Sequence, residues 1–374
     1  MRYRYKTGAN GKPEKKAVIY TCDEHGINFA DVDGEAVSII RKLKSAGYDS
    51  YVVGGAVRDL ILGKKPKDFD IVSAASPGRI KKLFRNSRII GRRFRLVHVY
   101  SGEKIFEVST FRSLKDGHTS NTFGTIEEDV QRRDFTLNAL FYDPQQQIVV
   151  DYVGGMDDIK KKQIKPIINL NDIFTDDPVR MIRACKYSAI SGFSMPVNLK
   201  KKITSQSNLL LNISPSRLTE EMFKIINSDK AAVIVESLEK SGLYNYLQPG
   251  ACALMKKSAD FKKKYYESLS KLKGAENKRG EALGALFKDY LETTCEWKPG
   301  PTENFKEICK DARYFIMPIN PPRFDFHYSV KKFLSSKGIT IKRIILKPVT
   351  PQEEEEKSGA KRRRKRRRKP KPQA

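Results

Sequence analysis

Residues 54–72 read GGAVRDLILGKKPKDFDIV, and the fold assignment turns on them. The YVV run ahead of them (51–53) is a short β-branched strand signal. AVRDLILG has helical spacing and stops at Gly63, and DFDIVSA (68–74) is strand-like again. Gly54 and Gly55 carry no side chain, so backbone N–H groups at this strand-to-helix turn can approach an anion, helped by the positive end of the helix that follows. Asp68 and Asp70 flank Phe69. Side chains two apart on a strand point to the same side, so the spacing predicts two convergent carboxylates. Two hard oxygen ligands beside a phosphate cradle suit Mg²⁺ held jointly by protein and a nucleoside triphosphate. Taken singly, a GG pair is a turn and a D-x-D is solvated or caps a helix; the specificity lies in their order. No GxxxxGK[ST] occurs, since GKK at 63–65 lacks the hydroxyl residue, and no GxGxxG occurs either.

Working outward, residues 1–34 are polar and read as an irregular lead-in with a short strand at Ala17–Tyr20. AVSIIRKLKSAG predicts a helix ending at Gly47, and PGRIKKLFRNS a second with Pro in its first turn. RLVHVYSGEKIFEVSTF reads as two strands joined at Ser101–Gly102. Ser113–Gly124 reads as a loop, Arg133–Tyr142 as a helix and Ile148–Tyr152 as a last short strand. Beyond it the spacing predicts successive helices over 176–191, 197–207, 214–228 and 231–241, and a helical remainder to about residue 345. Residues 350–374 hold an acidic block and then a basic one with almost nothing apolar, and are expected to be disordered. The expected class is α+β: a mixed-sheet head to residue 152, then an all-helical arm.

The 374 residues carry a formal charge of +28. Ten basic side chains lie in 361–371, KRRRKRRRKPK, and without them the rest still carries +18. A basic body as well as a basic tail points to a polyanionic partner, most economically nucleic acid. No run approaches the ~20 apolar residues of a membrane span. The N-terminus lacks the apolar core of a secretory signal. Five cysteines without a CxxC pair argue against a disulfide framework and fit a reduced, cytoplasmic setting. The four histidines are isolated in sequence and read as structural.

The 54–71 stretch resembles the signature of class II template-independent nucleotidyltransferases of the polymerase-β-like superfamily, which comprise bacterial poly(A) polymerases and tRNA CCA-adding enzymes. Further similar segments follow in order: EVSTFR (107–112), EEDVQRRDFTLNAL (127–140), DYVGGMDDI (151–159) and DDPVRMIRA (176–184). The likeness spans residues 17–245. It implies a catalytic head over 35–152 behind the 1–34 extension, a helical neck over 153–245 that binds the nucleobase and RNA, a body and tail over 246–349 that bind RNA, and the basic segment 350–374. By the resemblance, Asp68 and Asp70 hold metal and Asp134 joins them as a catalytic acidic residue. Gly54, Gly55, Arg58 and Arg133 contact nucleotide, and Asp177 and Arg180, with Arg183, present a protein template to the base. Asp176 stands where the family has Glu, and Lys186 where it has Arg; Lys cannot form the planar guanidinium fork. An ordinary surface ion pair is the other reading of Asp177 and Arg180. Glu107 keeps two readings, a third carboxylate or a partner of an arginine such as Arg112.

The implied chemistry is in-line attack of an RNA 3′-OH on the α-phosphate of ATP, with two Mg²⁺ ions and release of pyrophosphate. Three features resemble the poly(A) group: IIGRRFRLVHV (89–99), YTCDEHGI (20–27) and the basic tail. Arg362, Arg363, Arg364, Arg366, Arg367 and Arg368 in that tail are expected to hold RNA by its phosphates without reading sequence. The expected partner is therefore the 3′ end of mRNA and other transcripts, with no DNA specificity. CCA (or A) addition to tRNA is the alternative, and a non-catalytic RNA-binding protein a distant one. Oligomeric state and protein partners are not legible in the sequence.

Overall fold

The computed structural model describes residues 2–7, 13–91, 95–113, 122–274, 279–294 and 303–341. The chain divides into two compact units, Met1–Leu211 and Asn212–Ala374. The expected disordered tail with its six arginines, and Arg92–Phe94 of the GRRF segment, lie outside the described residues.

Short apolar segments punctuated by glycine build the first unit. Nine strands form one sheet: β1 (Arg2–Thr7), β2 (Pro13–Tyr20), β3 (Ser50–Val53), β4 (Asp70–Ser73), β5 (Ser87–Ile90), β6 (Leu96–Ser101), β7 (Lys104–Thr110), β8 (Leu140–Asp143) and β9 (Ile148–Asp151). Their order is β1-β2-β9-β8-β3-β4-β7-β6-β5. The β4–β7 ladder is parallel and the others are antiparallel. β3 and β8 are buried at every position, as central strands covered on both faces. Tyr51, Val53, Val72, Phe111, Val130 and Phe141 share one core cluster on this sheet.

Three expectations are corrected here. The lead-in is not irregular: β1 and β2 pair, and β2 pairs β9 from Val18↔Asp151 to Tyr20↔Val149, so the predicted Ala17–Tyr20 strand is the end of a longer one. The predicted helix Arg133–Tyr142 does not form. The helix lies earlier, at Ile126–Arg132, started by a capping box between Thr125 and Glu128. Residues 140–143 then become β8, because an apolar run buried on both faces has no periodicity to separate strand from helix. Finally, the sequence reading passed over β5, which pairs β6 antiparallel from Ser87↔Val99 to Ile90↔Leu96.

His25 ties the lead-in to the sheet. Its Nδ1 accepts from Ile27 N–H at 3.0 Å, so its Nε2–H donates to the Gln147 carbonyl, also at 3.0 Å. The ring is 3% exposed, and burial pulls its pKa below the usual 6.5.

The second unit is helical, from Pro215–Ile226 to Arg323–Ser336. Its interior holds a polar knot in which Tyr244 and Tyr265 hydroxyls donate to Gln248 Oε1 at 3.0 and 2.7 Å, and Gln248 Nε2 donates to the Leu286 carbonyl at 2.7 Å. Gln248 is fully buried, so each of its polar atoms has to find a partner inside.

Candidate active site

β3 ends at Val53, and Gly54 turns the chain at φ 74°, ψ −135°, a backbone shape that demands glycine, into the helix Gly55–Ile61. Val53 pairs with Asp70, the first residue of β4. A Cβ built on Gly54 would stand 3.9 Å from Asp70 Oδ2, so a carboxylate lies directly against the glycine turn. The expectation that Asp68 and Asp70 share a strand needs correction. Continuing the antiparallel register, Asp68 would face Gly55, which has already entered the helix, so the ladder stops and Asp68 sits in the coil before β4. Both aspartates are exposed.

Glu107 lies one strand over. Ile71 pairs with Val108 in the parallel β4–β7 ladder, so Asp70 and Glu107 each precede that pair by one residue. Glu107 Oε1 is 3.4 Å from His98 Nε2, its cross-strand partner on β6. Among the described residues no group of three or more His, Cys, Asp or Glu side chains is placed to hold a metal ion.

Arg58 is 8% exposed. Its Nη1 donates to Asn138 Oδ1 at 2.9 Å, its Nε to Asp59 at 2.9 Å, and its guanidinium lies 5.6 Å over the Tyr187 ring. Arg133 reaches the same asparagine from the other side, donating Nη1 to the Asn138 carbonyl at 3.1 Å. Its Nε and Nη2 grip Asp129 Oδ2 at 3.1 and 2.9 Å. Asp134 Oδ1 accepts from Phe135 N–H at 2.8 Å, and its Oδ2 lies 3.7 Å from Arg183 Nη1.

The glycine motif that follows, DYVGGMDDI, holds this segment in place. Asp151 Oδ1 accepts from the N–H groups of Val153, Gly154 and Gly155 and Oδ2 from Met156 N–H, at 2.8 to 3.1 Å. Asp158 accepts the Thr136 hydroxyl at 2.7 Å. Gly155 is so close to the Thr136–Asn138 turn that a Cβ there would meet the Thr136 carbonyl at 2.4 Å.

The segment 173–191 is not one helix. A short helix Ile173–Asp176 ends at Asp177, whose backbone is extended at φ −150°, ψ 94°, and a new helix runs Val179–Ser191. The predicted helix 176–191 therefore begins only at Val179, and Asp177 lies outside the helix that carries Arg180. Instead Asp177 Oδ1 accepts from Val179 N–H at 3.2 Å at the start of the second helix. Arg180 is 4% exposed and donates to the carbonyls of Ile173 at 3.1 Å and Arg132 at 3.4 Å. Burial pulls its pKa down, opposed by Asp177, Asp134 and Asp176. The surface ion-pair reading fails for it, because the side chain is inside. Lys186 is 8% exposed, with its ammonium 5.1 Å over the Tyr187 ring.

The structure thus brings Arg58, Arg133, Asp134, Arg180 and Arg183 onto the junction of the Thr136–Asn138 turn, the helix end at Arg132 and the helix Val179–Ser191. Asp70 belongs to the neighbouring glycine turn. Sequence reasoning missed Asn138, Asp129 and Tyr187 as the residues that join them. The capping box at Thr125–Glu128 was the available signal, because a helix starting there ends at Arg132 and frees Arg133–Asn138 to be a connector.

A glycine turn against a carboxylate, within a mixed sheet, can cradle a phosphate beside a metal ligand. Residues 50–165 match the Poly A polymerase head domain, and residues 192–255 the probable RNA and SrmB-binding site of polymerase A. The chain is similar over these stretches to class II poly(A) polymerases and CCA-adding enzymes. It is 41% identical over 243 residues to "Poly(A) polymerase I" of Salmonella typhi, covering 61% of this chain and 52% of that protein. It is 37% identical over 222 residues to the "CCA-adding enzyme" of Geobacillus thermodenitrificans, covering 58% of this chain and 54% of that one. The chain spans about half the length of the curated relatives it matches. In fold it is similar to the Bacillus stearothermophilus CCA-adding enzyme solved with CTP, with a TM-score of 0.57 at 25% identity over 88% of this chain and 91% of that chain.

Proposed function

We propose that the chain is a poly(A) polymerase that transfers AMP from ATP to RNA 3′-OH ends, acting on mRNA and other transcripts in the cytoplasm. The observation that carries the chemistry is the Asp70 carboxylate against Gly54. The donor set is two exposed aspartates of hard oxygen character, which fits Mg²⁺ whose remaining ligands come from the triphosphate. Asp68 and Asp70 would hold the two ions, which supply a more acidic RNA 3′-OH and charge neutralisation at the departing pyrophosphate.

The chain's own residues supply the rest. Gly54 and Gly55 leave their backbone accessible to the triphosphate, and Arg58 stands next to them, held by Asn138 and Asp59 so that its remaining N–H donors are fixed. Arg133, braced by Asp129, and Asp134 stand on the segment that Asn138 joins to Arg58. Arg180 uses two of its five N–H donors on backbone carbonyls. Pinned in this way, with Asp176 Oδ2 4.0 Å from its Nη1, it is held to present a guanidinium edge to a base beside Asp177, and Arg183 and Lys186 flank it on the same helix. Such preorganised donors discriminate between bases because a wrong base leaves buried polar groups unpaired.

The poly(A) reading over CCA addition is supported by the higher identity to the poly(A) polymerase I relatives, 41% against 37%. The fold likeness to a CCA-adding enzyme keeps the second reading alive. Incubating the protein with ATP plus CTP on a tRNA lacking its 3′ end and on an unrelated RNA separates them. Homopolymeric A on both substrates is expected, and clean CCA completion confined to the tRNA would reverse the assignment.

A further inference from the structure

We propose that an arginine-lined cleft in the second unit binds the phosphodiester backbone of single-stranded RNA. The inference rests on the reading of RNA as substrate. The cleft, of about 600 Å³, is lined by Arg279, Arg313 and Arg323 together with Ser216, Phe223 and Asn320. The three arginines come from three different helices, Arg279–Gly284, Glu303–Phe315 and Arg323–Ser336. None of them has a carboxylate within ion-pairing distance among the described residues. Glu220 is the acid in the lining, and Asp325 is felt by Arg279 only at longer range. Three guanidiniums around one opening with so little negative charge make a site for an anion.

The guanidiniums are also held. Arg279 lies 4.7 Å over the Phe223 ring and Arg313 4.5 Å over Phe326. A planar guanidinium stacked on a ring keeps its edge N–H groups for phosphate oxygens. Arg313 Nη1 donates to Asn320 Oδ1 at 3.1 Å, and Asn320 N–H donates to Thr219 Oγ1 at 2.8 Å, which anchors the connector between the last two helices. The charges of Arg323 and Arg313 reach His327, whose pKa is pulled down by burial first and by them next. Tyr314 and Phe324, the sequence neighbours of Arg313 and Arg323, are 77% and 41% exposed and stand outside the lining of the cleft. Cations interleaved with accessible rings are the composition that holds single strands, by backbone charge and sequence-tolerant stacking. Three guanidiniums at one opening offer more donors than a single phosphodiester accepts, which favours a polyanion.

The test measures binding of a fluorescent single-stranded RNA with a blocked 3′ end to the full chain, between about 50 and about 300 mM salt. Removing all three charges (R279Q/R313Q/R323Q) is expected to weaken binding at least about tenfold near 0.1 M salt and to flatten the log–log salt slope by about 2, from ~0.7 per phosphate contact on a single strand. Arg323→Gln alone, which removes no stacking or hydrogen-bond contact seen among the described residues, is expected to flatten it by ~0.7. The triple Lys variant is expected to keep the slope, because the charges remain. An unchanged slope in the folded triple Gln variant overturns the inference. So does loss of ATP or inorganic phosphate binding in that variant with RNA binding intact, which would make the cleft a small-anion site. Because the blocked RNA cannot be extended, the outcome is independent of catalysis. A chain that adds no AMP yet shows the slope change would lose the proposed activity and keep this site.

Discussion

Asn138 is where two arginines meet: its side chain takes Arg58 and its carbonyl takes Arg133. Neither arginine can swing freely, so the positive charge beside the glycine turn is set before any nucleotide arrives. Removing the side chain leaves a buried guanidinium short of a partner, at a cost of about 2 kcal/mol. Asn138→Ala is therefore expected to lower kcat/KM for ATP roughly 30-fold while the protein stays folded; steady-state incorporation beside a thermal melt checks this, and wild-type kinetics would refute the bridging role. Legibility differs sharply between residues. Gly54 and Asp70 could be found because a double glycine after a strand and a D-x-D leave a local trace, whereas Arg58 was found only through the resemblance. Asn138 and Tyr187 could not, because their importance comes from a partner distant in sequence, residue 58; Asp129 has its partner Arg133 only four residues on, and was missed because the helix that carries it was placed too late.

At the scale of elements, the sheet was readable where glycine or a turn marked an end and unreadable where burial erased the pattern. β6 and β7 alternate around Ser101–Gly102 and stood out. β8 is buried throughout and read as helix. The DYVGG turn shows an element whose role is to position another. Adding a methyl at Gly155 would force the Thr136 carbonyl away from a 2.4 Å clash. Gly155→Ala is expected to cost about 1–3 kcal/mol of stability and to shift the turn carrying Asn138, lowering incorporation as well; a variant with unaltered melting and activity would contradict that coupling. His25 gives the lead-in a pH signature. Its folded pKa is depressed, so the unfolded chain binds the proton more readily, and protonated Nδ1 would face the Ile27 N–H, donor to donor. The stability His25 contributes is present above pH 6.5 and declines as pH falls below that value toward the folded pKa. Wild type is expected to lose more melting temperature between pH 7 and pH 5 than His25→Leu does, and equal losses would assign the effect elsewhere.

Across the whole sequence, a basic charge survives removal of the terminal arginine run, the composition expected of a chain that meets a polyanion with more than a tail. Composition pointed to a polyanion but to no place for it, since the arginines of the second-unit cleft are scattered over residues 279–323 and converge only through helix packing. The proposed chemistry depends on the carboxylate at the glycine turn. The direct measurement is AMP incorporation into an RNA primer by Asp70→Asn, a near-isosteric change that removes the charge, with ATP and Mg²⁺ saturating and the fold verified by circular dichroism and melting. The expected result is a loss of at least about a thousandfold in rate, on the scale of removing a group that stabilises transition-state charge, with RNA binding retained. A folded Asp70→Asn protein that adds adenylate at the wild-type rate would contradict the account.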